Sequence, residues 1–320
     1  MGTSIIRYQE KNSSQKSWGI LSSSKEISPI PLVSDQLAEL LREAKQYLPK
    51  WKQIPPSIRM EEVQVLAPLS KPCKIICQGL NYADHREESG RERSSDYNLV
   101  FRKDESALTG PYDKVYIPSA CQIFDYEIEL GLLLGKEITE PTDIQEANVS
   151  DYVAAWFIAN DFSARDMMFR ASFRQWYLGK SARSLFPVGP VLFFPDKEDW
   201  QNFDQLTLTL KVDGEIRQQA TARQLIFRPA ETLSYLSENI DLAAGDCILT
   251  GTPGGVAIHP PSKFKKKLAE LLFDERKQVE MLVKMNKDNP RILRKGQKVS
   301  CHIATPDGKI DLGRMENVIA

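Results

Sequence analysis

The stretch FDYEIELGLLLGKE, residues 124–137, reads as a buried strand that carries two acidic side chains. Side chains of a strand alternate between its two faces, so Glu127 and Glu129 share one face and the apolar residues between them share the other. Burying an isolated carboxylate is strongly unfavourable. Two carboxylates on one strand face therefore need water, basic side chains or a cation.

Length and composition limit the class of protein. The chain has 320 residues, 42% of them hydrophobic, which is enough for one large domain or two moderate ones. Its 42 basic and 43 acidic residues nearly cancel, so small molecules are expected as partners rather than nucleic acid or a membrane surface. No apolar stretch resembles a secretory signal or a membrane span, and the five cysteines are scattered. These features predict a cytoplasmic protein with reduced thiols.

Two regions of the sequence differ in their composition and in the spacing of their apolar residues. Residues 1–70 are predicted to form a small N-terminal α+β domain, in which a helix with leucines at helical spacing is capped by Ser34 or Asp35. Residues 71–320 are rich in β-branched and aromatic runs, and Asp213 with the following glycine predicts a hairpin turn. The fold class is therefore mainly β, of the α+β type, with short helices.

A helical insert interrupts the β-rich region at about residues 260–290. Its sequence is charged and amphipathic. It could cover the site, extend a dimer interface or simply elaborate the surface, and the sequence leaves these alternatives open. Its predicted apolar face consists of Phe264, Leu268, Leu271, Leu272, Met281 and Leu282.

A third carboxylate follows another apolar strand, in FIANDFSARDMMF at residues 157–169. Asp161 comes directly after the strand, at the junction with a short helix that Ser163 is predicted to cap. Three carboxylates without a local histidine or cysteine would make an oxygen site suited to Mg²⁺ or Mn²⁺. Solvent exposure of the two strand glutamates, and a simple turn role for Asp161, remain the alternatives.

The stretch GLNYADHREESG, residues 79–90, contains a candidate base. His85 and Glu88 are one helical turn apart, so their side chains can lie side by side. A carboxylate beside an imidazole raises its basicity and fixes its orientation, as a general base that activates water requires. An exposed pair on a helix surface is the alternative.

Seven motifs occur in the order and rough spacing of one known family. They are ICQGLNYADHREE, ALTGPYDKVYIP, DYEIELGLLLGKEI, FIANDFSARDMMF, LGKSARSLFPVGP, VDGEIRQ and DCILTGTPGGV. From about residue 71 to the C-terminus, apart from the helical insert, the chain resembles the fumarylacetoacetate hydrolase family. The resemblance implies a mixed β-sandwich roll, barrel-like and with short helices, and a homodimer.

The resemblance also implies a metal site. Glu127, Glu129 and Asp161 match the three carboxylates that bind a divalent cation in this family, Mg²⁺ or Mn²⁺. Lys180 matches a lysine that could pair with Asp161 and bind or protonate substrate.

Further positions match catalytic and substrate-binding residues of the family. His85 and Glu88 match its water-activating pair, and Thr252 matches a threonine that contacts substrate. Lys103 lies where relatives often have a lysine near substrate. Arg183 stands where the family often has an acid, so it could favour a more anionic substrate or could point to solvent.

For activity, the resemblance implies a metal-dependent hydrolase that cleaves a carbon–carbon bond of an acylpyruvate-like 2-oxo acid through a metal-bound enolate, with His85 and Glu88 activating water. The same enolate supports decarboxylation of an oxaloacetate-like acid, or tautomerisation, and these stay open as alternatives. A binding or assembly protein that keeps the fold without activity is a third possibility. The sequence lacks G-x-S-x-G, phosphate-loop, G-x-G-x-x-G and H-E-x-x-H motifs, so other enzyme classes find little support.

Overall fold

The structure is a computed structural model, and it describes residues 2–169, 175–258 and 271–320. In this part of the chain the strands are β1 (Thr3–Glu10), β2 (Lys16–Leu21), β3 (Glu26–Pro29), β4 (Ile58–Arg59), β5 (Val63–Val65), β6 (Ile75–Gly79), β7 (Leu99–Lys103), β8 (Leu108–Thr109), β9 (Phe124–Asp125), β10 (Ile128–Leu134), β11 (Val153–Asn160), β12 (Ser163–Ala164), β13 (Phe186–Pro187), β14 (Val191–Phe194), β15 (Thr207–Val212), β16 (Glu215–Thr221), β17 (Cys247–Leu249), β18 (Lys298–Ala304) and β19 (Asp311–Val318). The helices include α1 (Leu37–Trp51), α2 (Ala83–Glu88), α3 (Arg165–Met168), α4 (Trp176–Ser181), α5 (Pro229–Ser237) and α6 (Glu275–Asn286).

The largest sheet of the described residues has eleven strands. Ten of them follow the order β4-β3-β2-β1-β14-β11-β10-β17-β6-β7, and β5 pairs with β1. Most neighbours are antiparallel, whereas β17 runs parallel to β6. Every residue of β10 is buried because both faces of the sheet are covered at its centre.

A second sheet covers one face of this centre. It has the order β16-β15-β18-β19 in the described residues, and neighbouring strands are antiparallel. Leu130 and Leu132 of β10 share a hydrophobic core with Leu210 of β15 and Ile303 of β18. The predicted turn at Asp213 is confirmed, since Asp213 and the following glycine both have the positive φ angles that a two-residue hairpin needs.

Helix α1 covers the opposite face. Leu40 and Leu41 pack in a second core with Leu133 of β10 and Phe157 of β11. The predicted apolar face of this helix is confirmed, because Leu37 and Ala44 are buried as well and Leu48 is half-buried against the same core.

The predicted cap of α1 is wrong. The helix begins at Leu37, with Gln36 as N-cap, and the Gln36 side chain makes no capping hydrogen bond. Asp35 instead forms an ion pair with Arg7 on β1, and the Ser34 hydroxyl accepts a hydrogen bond from the Gln36 backbone. The Asp35 carboxylate, which local sequence predicts as a helix cap, therefore forms a long-range ion pair instead.

The N-terminal strands are continuous with the rest of the protein. β1 pairs with β14 in antiparallel register, with Ile5 opposite Leu192, and both residues belong to the core under α1. The two parts of the chain therefore share one sheet, and a domain boundary at residue 70 stays a prediction.

The helical insert is described only in part. Phe264 and Leu268 lie outside the described residues. Leu271 and Met281 are exposed, as is the leucine at 272, so this part of the predicted apolar face is wrong. Leu282 packs against the main core and is confirmed. In the described ranges, no helix combines the length and apolar character needed to cross a membrane.

Candidate metal centre

Three carboxylates meet at the end of the β10–β11 pair. Glu129 lies on β10, Glu127 immediately precedes this strand, and Asp161 immediately follows β11. The Asp161 backbone N–H donates to the Glu127 carbonyl at 2.8 Å, which joins the two strand ends. All three side chains are buried, and one oxygen of each lies within 4.8 Å of the other two. The structure therefore brings together the three residues predicted as metal ligands.

A break in the strand directs Glu127 into the cluster. β9 ends at Asp125 and β10 begins at Ile128, so the residues between them lack the regular ladder. The side chain of Asn160 accepts from the Glu127 backbone N–H at 2.9 Å, and the side chain of Gln218 accepts from the Ile128 N–H at 3.0 Å. These amides satisfy buried donors that would otherwise be unpaired.

Two buried lysines face the cluster. Lys180 Nζ lies 2.5 Å from Glu127 Oε2 and 2.6 Å from Asp161 Oδ2, and Lys103 Nζ lies 2.5 Å from Asp161 Oδ1. Burial opposes the charge of Lys180, but Asp161 and Glu127 raise its pKa overall. Burial lowers the pKa of Lys103, although Asp161 opposes that shift. Lys103 is therefore part of the ionic cluster rather than a solvated residue at a strand end.

Arg165 and Asp125 extend the cluster, and sequence reasoning did not assign either of them. Arg165 Nε donates to Asp125 Oδ2 at 2.8 Å, and its Nη2 forms an ion pair with Glu127. Asp125 also accepts backbone hydrogen bonds from Ala257 at 2.7 Å and Ile258 at 3.2 Å. Asp125 lies between two aromatic residues, and a charge in such a run needs a partner, which is the signal that could have identified it. The polar neighbours of Arg165 give no comparable signal.

The pairing of β9 with β12, which places Ser163 opposite Asp125, depends on the fold and cannot be read from spacing. The predicted Ser163 cap is also wrong. α3 begins one residue after its N-cap Ala164 without a side-chain cap, and the Ser163 hydroxyl donates to the Asp161 carbonyl. Asp166 accepts from the backbone N–H groups of residues 122 and 123 and so fixes the chain before β9.

The two strand glutamates differ in their electrostatics. Burial opposes the charge of Glu127, but Arg165 and Lys180 hold its pKa below the ordinary value, at about 2. Glu129 accepts a hydrogen bond from the Gly251 N–H at 2.7 Å, and in the described chain no basic side chain forms an ion pair with it. Burial and the nearby carboxylates raise the pKa of Glu129 well above its ordinary value. A divalent cation fits this site because all donors are oxygens and the charge of Glu129 needs a cation.

His85 and Glu88 lie on α2. His85 is buried, so the alternative of an exposed helix-surface pair does not apply to it. Its Nδ1 is 3.8 Å from Glu88 Oε2, which places the carboxylate beside the imidazole but beyond hydrogen-bond distance. The Glu88 carboxylate accepts the Gly255 N–H at 2.7 and 2.9 Å. Burial opposes the charge of Glu88, but His85 and the Gly255 N–H lower its pKa overall.

The remaining predicted residues fall in two places. Thr252 is buried, and its hydroxyl accepts from Gln218 Nε2 at 2.8 Å. Arg183 is exposed on the wall of a surface cleft that Ser106 and Ser181 also line. Within the described ranges it forms no ion pair with the three carboxylates. The substrate-binding roles of Thr252, Arg183 and Lys103 stay predictions.

Comparison with known proteins assigns this chain to a family. The family model for the fumarylacetoacetate (FAA) hydrolase C-terminal region matches residues 74–320. The chain belongs to the fumarylacetoacetate hydrolase family. It is 36% identical over 213 residues to the mitochondrial oxaloacetate tautomerase Fahd2a of Rattus norvegicus, with 66% of each chain covered. The chain thus aligns with about two thirds of the length of this relative.

Solved structures support the fold over the whole length. The fumarylacetoacetate hydrolase of Exiguobacterium antarcticum superposes with a TM-score of 0.70 at 23% identity and covers 99% of both chains. The fumarylpyruvate hydrolase of Pseudomonas aeruginosa, in complex with Mn²⁺ and pyruvate, gives a TM-score of 0.59 at 26% identity and covers 80% of this chain and 91% of that one. The predicted family and its strand-rich α+β fold are confirmed.

Proposed function

We propose that this member of the fumarylacetoacetate hydrolase family is a divalent-metal-dependent tautomerase of a small 2-oxo dicarboxylic acid of the oxaloacetate type. The observation that carries the proposal is the buried cluster of Glu127, Glu129 and Asp161, with Lys180 bound to it and the imidazole of His85 close by. Similarity to an oxaloacetate tautomerase over 213 residues supports tautomerisation among the reactions open to such a site.

Three carboxylates and one hydroxyl supply the binding groups. Glu127, Glu129 and Asp161 would hold Mg²⁺ or Mn²⁺, and the bound ion would act as a Lewis acid toward the oxygens of a 2-oxo acid. The oxygen of Thr252 accepts from Gln218, so the hydroxyl hydrogen of Thr252 remains to donate to a substrate carboxylate.

His85 is the proposed proton carrier. A neutral imidazole with its Nδ1 proton toward Glu88 leaves the Nε2 lone pair for substrate. In the enol-to-keto direction the 2-hydroxyl loses a proton and C3 gains one. Nε2 would accept the first proton and return it to C3, so the reaction needs no second donor.

Lys180 has an electrostatic role in this proposal. Burial opposes the charge of Lys180, but Asp161 and Glu127 raise its pKa overall in the metal-free site, which favours the charged ammonium. A fixed positive charge in a buried site stabilises negative charge that develops on the 2-oxygen, and it needs no reorganisation when the reaction occurs.

Hydrolysis of an acylpyruvate is the second candidate. The pair of His85 and Glu88 favours it, because Nε2 could instead take a proton from water that attacks the distal carbonyl. Similarity to a fumarylpyruvate hydrolase supports this reaction as well. Decarboxylation of oxaloacetate on the same residues, a homodimer and a cytoplasmic location also stay predictions.

Metal-depleted protein, supplied with Mg²⁺ or Mn²⁺ in turn, distinguishes these reactions. Tautomerisation is followed as the loss of enol-oxaloacetate absorbance, decarboxylation as pyruvate release from oxaloacetate, and hydrolysis as acetate and pyruvate release from acetylpyruvate. We expect metal-dependent enol loss well above pyruvate release. Faster acetylpyruvate cleavage would replace the tautomerase with the hydrolase, and folded protein without any metal-dependent turnover would favour a binding protein.

A further inference from the structure

The loop of residues 250–258 binds the site from one side. Its backbone N–H groups donate to three acidic side chains, with Gly251 on Glu129, Gly255 on Glu88 and Ala257 on Asp125. These hydrogen bonds are 2.7 Å long in each case. The position of this loop therefore affects both the proton-carrying pair and the metal cluster.

Gly255 fixes one part of the loop. Its φ of +102° lies in the left-handed region, and a Cβ at this position would lie 2.1 Å from the Arg217 carbonyl oxygen. Only glycine fits, because any other side chain would collide with the backbone of β16. The Gly255 N–H donates to Glu88, and its carbonyl oxygen accepts from Arg291.

Arg291 binds that carbonyl from the segment after α6. Its Nη2 donates to the Gly255 carbonyl at 2.5 Å and to the Arg217 carbonyl at 3.2 Å. One guanidinium thus joins the loop to β16. Both hydrogen bonds come from one nitrogen of the planar guanidinium, whereas lysine carries a compact, strongly hydrated ammonium on a flexible stem.

Asn289 binds a second carbonyl of the loop. Its Nδ2 donates to the Ala257 carbonyl at 2.7 Å, and its Oδ1 accepts from the Arg291 backbone N–H at 3.0 Å. The N–H of Ala257 binds Asp125, which holds Arg165, and Arg165 is paired with the metal-ligand candidate Glu127. Asn289 is therefore linked to the carboxylate cluster through buried hydrogen bonds.

We propose that Asn289 and Arg291, which follow α6, are positioning residues of the active site with separable effects. Arg291 positions Glu88 through residue Gly255, and Asn289 positions Glu127 through Ala257, Asp125 and Arg165. The role of the Arg291 branch in turnover rests on the proposed function, whereas the effect of the Asn289 branch on metal binding does not.

The Arg291 branch is tested with Arg291→Lys. We expect kcat to fall about tenfold or more, because small misplacement of a catalytic group is costly, while the Mg²⁺ and Mn²⁺ dissociation constants stay within about twofold. Arg294→Lys is the matched control, since the exposed Arg294 donates to a carbonyl outside the loop, that of Lys287. A parallel change in both variants would overturn the proposal.

A double-mutant cycle separates positioning from general damage. In a Glu88→Gln background, Arg291→Lys should change kcat by less than about twofold, because the two residues act on one step. An undiminished effect in that background would show that Arg291 does not act through Glu88. Arg291→Gln keeps an amide donor and serves if the lysine variant does not fold.

The Asn289 branch is tested without turnover. We expect Asn289→Ala to weaken Mn²⁺ binding about threefold by calorimetry, less than the roughly tenfold or more that follows loss of a group bound directly to a metal ligand. The rate of amide hydrogen exchange in residues 250–258 should rise in Asn289→Ala and in Arg291→Lys, and should stay unchanged in Arg294→Lys. Unchanged exchange and Mn²⁺ affinity in folded Asn289→Ala would overturn this branch, whether or not the protein is a tautomerase.

Discussion

Nζ of Lys180 lies 2.5 Å from Oε2 of Glu127, in a buried ion pair at the carboxylates that could hold a metal. The metal-free cluster is therefore partly neutralised by the protein's own cations. Arg165 adds a second cation on Glu127, whereas Glu129 has only a backbone donor among the described residues. Spacing along the strand does not distinguish the two glutamates, but their surroundings do, because Glu127 is paired with cations and Glu129 is not paired with any in the described residues.

Glu127→Gln should destabilise the metal-free protein. The substitution leaves the cations of Arg165 and Lys180 without one carboxylate, and breaking a buried pair in this way costs roughly 3 kcal/mol. Urea unfolding in the presence of a chelator measures the change in free energy of unfolding. Glu62→Gln, which removes one partner of an exposed ion pair with Arg59, is the control and should be nearly silent. Equal stability of Glu127→Gln and wild type would contradict this account of the cluster.

Glu129→Gln should have the opposite effect on the metal-free protein. The raised pKa of Glu129 means that the folded state binds a proton more tightly than the unfolded chain does. Its contribution to the free energy of unfolding therefore decreases as pH rises above about 4.3, the ordinary pKa of glutamic acid. The glutamine side chain does not titrate, so Glu129→Gln lacks this loss of stability. The variant should therefore become more stable than wild type as pH increases.

The same variant should bind Mn²⁺ at least about 100-fold more weakly, because it loses a predicted direct ligand rather than an outer partner. Chelator-treated protein is unfolded with urea at several pH values, and Mn²⁺ binding is measured by calorimetry. A metal-free Glu129→Gln protein that is less stable than wild type at neutral pH would show that protein partners hold this carboxylate.

The sequence predicts Glu127 and Glu129 on one strand face, Asp161 after a second strand and His85 as a candidate base, and the family resemblance adds Lys180. Pairs between residues distant in the chain are not predictable in this way. Asp35 forms an ion pair with Arg7 instead of capping the helix. Arg165 contacts Asp125 because β9 pairs with β12. Periodicity records which face a residue occupies, whereas ion pairs depend on which elements become neighbours.

Lys103→Met should destabilise the protein even though it adds no polar group. Lys103 is fully buried at the end of β7, and its only ion pair among described residues is with Asp161. Methionine matches the length of lysine but leaves Asp161 with one cation fewer, for a loss of roughly 3 kcal/mol in metal-free protein. Arg102→Met, at the exposed neighbouring position, is the control for urea unfolding. If both variants unfold at the same urea concentration, Lys103 does not stabilise the cluster.

His85→Ala should separate the candidate reactions. In both proposed mechanisms His85 carries a proton, so tautomerisation or hydrolysis should fall by about 10² to 10⁴ in this variant. Decarboxylation without activated water would keep a substantial fraction of its rate. Turnover of enol-oxaloacetate, oxaloacetate and acetylpyruvate is compared with wild type, and Mn²⁺ affinity provides the control because His85 is not among the three carboxylate ligands. A tautomerase rate that survives the substitution would exclude Nε2 as the proton carrier.

Gly255→Ala should destabilise the protein by more than the strain of a left-handed backbone angle accounts for. The added Cβ would lie 2.1 Å from the Arg217 carbonyl oxygen, so the loop or β16 must shift and the N–H would leave Glu88. Gly296→Ala is the matched control, because Gly296 has a similar positive φ of +88° and open space around it. Both variants bear the strain of a left-handed alanine, and the collision should add roughly 1 to 3 kcal/mol to the loss in Gly255→Ala alone. Turnover should fall in Gly255→Ala and remain near wild type in Gly296→Ala. Equal losses of stability in the two variants would mean that the backbone angle alone requires glycine at 255.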